Sequence, residues 1–258
     1  MKVIYFYHIP KCGGSYVFYL LKKFCKKLDG EFVPFINLDL NKKNKILDEE
    51  FKEFIGSIKD YSKKEVLFIH HHHGYPGIHE MHDEILEAKK AISDKGGEML
   101  IISTVRDPIS YSISKVNYLQ NKGNDITYED IITIPTNHNM LSKYLNYNHV
   151  DRWLNNPVEV NIPQLEKTIS LFDRIFLTED MDGFNKFLND FLGTRNITIK
   201  KKINKGKLTC LPTEEERNSI LELNHIDQHF YDLIKNKMPK KNKFLGFLYS
   251  YFPKRSFE

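Results

Sequence analysis

Cysteine is scarce in this chain: Cys12, Cys25 and Cys210 are the three in 258 residues, and no CxxC spacing occurs. So sparse and odd a set excludes a disulfide framework and a cysteine-based structural zinc site. Long apolar runs are missing too. No stretch approaches the roughly 20 apolar residues that a membrane helix needs. The opening MKVIYFYHIP has neither a long apolar core nor a small-residue cleavage site, so no signal peptide is read there. A cytoplasmic, bacterial protein is the expectation. There is no internal repeat and no Pro/Gly/Ser-rich linker, so residues 1–258 are expected to form a single domain, with 239–258 as a basic and aromatic tail. Such a tail either docks on an anionic membrane surface or packs back on its own domain, and packing back is the favoured reading. Arginine is rare as well, at six of the 38 basic residues.

What is present suits a folded α/β protein. The chain is 41% hydrophobic, and 18 Phe and 14 Tyr supply bulky core material. A net charge of +4 is mildly basic, which suits a polyanionic cofactor or an acidic polysaccharide. Nucleic acid fits the charge equally, but no nucleic-acid partner is expected. Most of the lysine excess lies in short runs that read as solvated surface.

Val3 to Ile9 reads as a buried strand, followed by a turn at Pro10 to Ser15. Val17, Leu20, Leu21 and Phe24 then have the spacing of a helix with one buried face. Further strands are expected at Val66 to Ile69, Met99 to Val105 and Arg174 to Leu177. Helices are expected at Asp83 to Ser93, about Ile109 to Leu119, Asn139 to Leu145, Pro163 to Leu171, Met181 to Leu192, and Thr213 to Lys237 with a break. Residues 37–63 show only weak helical periodicity. The alternation predicts a P-loop-like central parallel sheet flanked by helices, a mostly helical C-terminal half, and ligands at the carboxyl ends of the strands.

Three polar clusters fall at those ends. In Lys11-Cys12-Gly13-Gly14-Ser15, two glycines allow close backbone approach, and the amides opening the next helix face an anion. The loop would also serve as a plain turn. It is no Walker A loop, because Lys11 precedes the glycines, and the strand Val66 to Ile69 runs into His70 rather than a magnesium-holding Asp. The second cluster is Arg106-Asp107-Pro108-Ile109-Ser110-Tyr111-Ser112-Ile113-Ser114. A guanidinium at a strand end suits bidentate phosphate binding, and Ser114, two turns along the helix, adds a hydroxyl. A surface Arg-Asp pair is the alternative. The third is His70-His71-His72-His73 followed by Gly74-Tyr75-Pro76-Gly77-Ile78-His79. One histidine here would be a general base; a zinc site joining His72 to His79 or His82 is the rival, though no cysteine or spaced carboxylate accompanies it.

Together these segments resemble the carbohydrate sulfotransferase family that includes heparan sulfate 2-O-sulfotransferases and their bacterial relatives. HIPKCGGS is similar to that family's HIPKTGGT/S loop, RDPISYSIS to its RDPxxxxxS segment, and HHGYPGIHE to the bacterial GHFPYGIHE stretch. Weaker echoes are Asn139 to Leu145 (NxQTRxL, with Lys143 for Arg), Phe172 to Glu179 (FDxxGLTE), and Ile203-Asn204 with Leu211 to Tyr231. The resemblance implies a sulfotransferase that moves a sulfuryl group from 3′-phosphoadenosine 5′-phosphosulfate to a hydroxyl, most naturally of a carbohydrate, without a metal. It implies that Lys11, Cys12, Gly13, Gly14, Ser15 and Tyr16 wrap the 5′-phosphosulfate, that Arg106 and Ser114 hold the 3′-phosphate, and that Asn204 joins the donor site. The base maps to His73, with His71 the alternative, and Lys11 assists catalysis. Two departures stand out: Cys12 replaces a Thr, and His72 replaces the glycine before the base. An ATP-dependent P-loop-type kinase, and a non-catalytic nucleotide-, polyanion- or metal-binding module, are the rival readings.

Overall fold

The computed structural model describes residues 1–35, 45–61, 63–72, 77–146, 159–199 and 210–236, with backbone alone at 45–48 and 59. Five strands, β1 (Lys2–His8), β2 (Glu31–Phe35), β3 (Val66–His72), β4 (Glu98–Val105) and β5 (Arg174–Leu177), form one sheet in the order β2-β3-β1-β4-β5. All neighbouring pairs are parallel. Parallel neighbours require crossovers, and helices supply them: α1 (Gly14–Leu28), α2 (Lys45–Ser57), α3 (His82–Asp94), α4 (Pro108–Gln120), α5 (Tyr128–Thr133), α6 (Met140–Asn146) and α7 (Ile162–Ile169) precede β5. After it come α8 (Met181–Leu192), α9 (Glu214–Leu223) and α10 (His225–Lys235). The expected α/β class, a parallel sheet flanked by helices with a mostly helical C-terminal half, is the observed one.

Strand alternation sends β1 into two cores. Val3, Tyr5 and Tyr7 join Leu67, Ile69 and Ile101 on one face, with Phe51 and Ile55 of α2 over them. Ile4 and Phe6 join Phe68 and Ile102 on the other face, beneath Val17, Leu20, Leu21 and Phe24 of α1. Both faces are covered, which is why β1 is a nearly continuous apolar run. The weakly periodic segment 37–63 thus acquires a role where it is described, since α2 lids the first core.

Several elements depart from the sequence expectation. β2 was not anticipated, because Pro34 sits inside it; the sheet tolerates the missing N–H at an edge strand. β3 continues to His72, three residues past the predicted end, because β1 and β2 both pair with it there and His8 lies opposite His72. The short helix α5 escaped notice too; a reciprocal Thr127–Asp130 capping box starts it. The break in the last helix falls at Asn224, whose Oδ1 accepts the Asn139 N–H at 2.7 Å. Among the described residues no helix is long and apolar enough to cross a membrane. The tail 239–258 lies outside the described residues.

Candidate functional site

In the sheet, β1 lies between β3 and β4, so the segments leaving all three strands emerge side by side at their carboxyl ends. The loop after β1 turns sharply, with Lys11 (φ 61°) and Gly13 (φ 77°) both left-handed. Non-glycine residues seldom adopt that conformation. The Gly13 carbonyl then accepts the N–H groups of Tyr16 (2.9 Å) and Val17 (3.2 Å), which starts α1. Gly14 has a steric reason: a Cβ there would lie 1.8 Å from Cδ2 and Nε2 of His8. The His8 ring therefore sits directly under the first turn of α1, and no side chain fits between them.

Cys12 is fully buried, and burial pushes its thiol well above the usual range. Its N–H donates to Ile9 O (3.3 Å) and its carbonyl accepts from Thr104 Oγ1. The side chain belongs to the first core, so Cys12 offers the loop its backbone only. Ser15, half-buried, stands in the first turn of α1. Tyr16 is next, and Asn185 of α8 donates through Nδ2 to its hydroxyl.

Two cations from separate segments meet beside this loop. Arg106, at the end of β4, donates from Nη1 to Lys11 O at 3.2 Å. The Lys11 ammonium lies 3.7 Å above the centroid of the Tyr118 ring on α4. Burial, and then the Arg106 charge, lower the Lys11 pKa to about 8. Ser114 is one helical turn before Tyr118 and hence on the same face of α4. That helix starts on Asp107, which accepts the Ser110 N–H at 2.9 Å, with Pro108 in its first turn. Lys11, Arg106 and Ser114 thus gather at one end of the sheet. Among the described residues neither Lys11 nor Arg106 forms an ion pair with a carboxylate. The arrangement is suited to holding anionic groups.

The histidine run is divided by the two-residue period of its strand. His71 is fully buried on the face away from α1, where its Nδ1 pairs with the Tyr5 hydroxyl at 2.6 Å and its ring packs on Phe51. His70 and His72 point to the α1 side. His70 is 1% exposed among Phe6, Phe18 and Phe32, and burial, with help from His72, lowers its pKa to about 4. His72, half-buried at the end of β3, stands edge-on to His8 with centroids 4.5 Å apart. His73 and Asn204 lie outside the described residues. Burial also lowers His79 to about 4. Among the described residues no three His, Cys, Asp or Glu side chains come together as a metal site.

Sequence reasoning missed His8, Tyr118 and Asn185. Only His8 left a usable signal, as a polar residue closing an apolar strand just before a Gly-Gly loop.

No family model matches the chain, and no curated protein does. Among solved structures it is similar to the crystal structure of a sulfotransferase from Alicyclobacillus acidocaldarius, with 12% identity over 88% of this chain and 91% of that one and a TM-score of 0.44.

Proposed function

We propose that this protein is a sulfotransferase using 3′-phosphoadenosine 5′-phosphosulfate, with a hydroxyl group, most naturally of a carbohydrate, as acceptor. The observation that carries the reading is the pairing of Lys11 with Arg106 at adjacent strand ends, where neither cation forms an ion pair with a described carboxylate. The donor carries anionic groups at both ends of its ribose, and the residues present fit that demand. Gly13 supplies the left-handed turn and Gly14 lets the first turn of α1 close over the His8 ring, so the loop brings its backbone amides to the start of α1.

In this reading, Lys11 and the backbone of Cys12, Gly13, Gly14, Ser15 and Tyr16 would hold the 5′ end, with the amides opening α1 aimed at the anion. Arg106 and Ser114 would hold the 3′-phosphate, and Asn204 would join them. When bound, the donor supplies an activated sulfuryl group on a phosphate leaving group. The chain's own work is to position and to neutralise: Lys11 offsets negative charge growing on the leaving side, and no metal is needed for that. His73 is the proposed base that takes the proton of the acceptor hydroxyl. His71 is the weaker alternative, because its ring is committed to Tyr5 in the interior.

Calorimetric titration with adenosine 3′,5′-bisphosphate, set against ATP-magnesium, tests the reading. Wild type is expected to bind the bisphosphate in preference to ATP-magnesium. Arg106→Ala is expected to bind it at least about tenfold more weakly, the cost of a charge-assisted bidentate contact. No binding of the bisphosphate, or a preference for ATP-magnesium, would overturn the proposal and favour a kinase or a binding module.

A further inference from the structure

Two further lysines are gathered at one turn. Lys115, the residue after Ser114 on α4, donates to Asn137 Oδ1 at 2.7 Å, and Lys143 on α6 donates to Pro135 O at 3.1 Å. Pro135 and Asn137 open and close the same 3₁₀ turn, so both ammonium groups are drawn to one place. The turn is itself anchored. Asn137 Nδ2 donates to Asp130 O at 2.7 Å, which orients the amide so that its oxygen faces Lys115. The helix bearing Lys143 is anchored too, by the Tyr7 hydroxyl on Tyr144 O at 2.7 Å.

Lys143 is only 3% exposed. Burying an ammonium is costly unless an anion accompanies it. Among the described residues neither lysine forms an ion pair with a carboxylate. The carboxylate that acts on Lys143 is Asp227, and its oxygens already accept from Leu141 N, Ser142 N and Ser142 Oγ. An ammonium has three N–H donors, and each lysine spends one of them on the turn. Donors therefore remain on both, at a spacing set by a single turn of chain. That the Lys143 charge lowers the Lys115 pKa, after burial, agrees with their closeness.

We propose that Lys115 and Lys143 form a second anion subsite, separate from Lys11 and Arg106, that takes one oxyanion group such as a carboxylate or sulfate. It adjoins the loop after β1. Tyr111, one turn before Lys115, hydrogen-bonds the side chain of Tyr144, and the Tyr144 backbone is held by Tyr7 near the end of β1. If the sulfotransferase reading holds, the oxyanion is a substituent of the acceptor; otherwise the same chemistry takes a free inorganic anion.

An NMR titration with sodium sulfate, following the side-chain amide of Asn137, tests the subsite in the full chain. It is run on the Arg106→Ala background, so that the outcome does not depend on the donor site. The expected result is a saturable shift of that amide. It should weaken at least about tenfold in Lys115→Met and Lys143→Met and survive in Lys143→Arg, which keeps the charge. Displacement of sulfate by glucuronate but not glucose would support the subsite and assign the anion to a sugar substituent; sulfate binding without displacement would support it as a site for free anion. An amide that does not respond to sulfate, or responds equally in the folded Met variants, would overturn the proposal. A failed bisphosphate titration would instead remove the donor reading and leave this site standing.

Discussion

His70 shows how one side chain can set the acid limit of a fold. The ring lies buried among three phenylalanines, and that burial outweighs the backbone contacts it has with Gly14 and with its own residue. Its folded pKa of about 4 lies below the ordinary 6.5, so between those values the unfolded chain binds more protons than the folded one. Stability from this group is complete above pH 6.5 and is lost as pH falls toward 4. A shift of this size corresponds to roughly 2–3 kcal/mol by pH 4.5. Urea unfolding at pH 7 and pH 4.5 should show that loss in wild type, and His70→Leu should lose less by about that amount. His79, lowered in the same direction, leaves a remainder in the variant. In the sequence, His70 to His73 form one run, in which His73 is read as the base and His71 as its alternative. Alternation along β3 separates His70 and His71 into different cores, but which face receives α1 is decided by tertiary packing.

At the scale of elements, α6 is short and depends on a partner helix for its start. Asp227 of α10 accepts Leu141 N at 2.8 Å, Ser142 N at 2.8 Å and Ser142 Oγ at 2.6 Å, so a buried carboxylate caps α6 from a distant part of the chain. Burial raises its pKa to about 6, against the pull of those hydrogen bonds. Asp227→Ala would leave buried donors without an acceptor, and a loss of roughly 2–4 kcal/mol is expected in denaturant unfolding at pH 7.5. A loss below about 1 kcal/mol would mean that water replaces the cap. The helix itself was legible within a residue at each end, from the run Asn139 to Leu145. Its cap was not, because the signal is a lone Asp some 85 positions away. β2 was hidden for a different reason: Pro34 argues against a strand, and only a place at the sheet edge makes it acceptable.

At the scale of the whole molecule, the sheet order brings Lys11 and Arg106 to a hydrogen bond although 95 positions separate them. A ligand that bridges segments from several strands stabilises the fold as a unit. At a hundredfold excess over its dissociation constant, adenosine 3′,5′-bisphosphate should add about 2.7 kcal/mol. For a chain of this size, that is a rise in Tm of roughly 5 °C. Thermal melts with and without the bisphosphate should show that rise in wild type, and at the same ligand concentration Arg106→Ala should show little of it. The sequence by itself determined the α/β class, the strands β1, β3, β4 and β5, and the loop from Lys11 to Ser15, because apolar periodicity and Gly-Gly turns are local. Tertiary structure alone decided which core each histidine enters, that Cys12 turns its thiol into the core, and that Lys115 and Lys143 meet at one turn. Those outcomes depend on which segments become neighbours, and the burial that shifts a pKa exists only after they do.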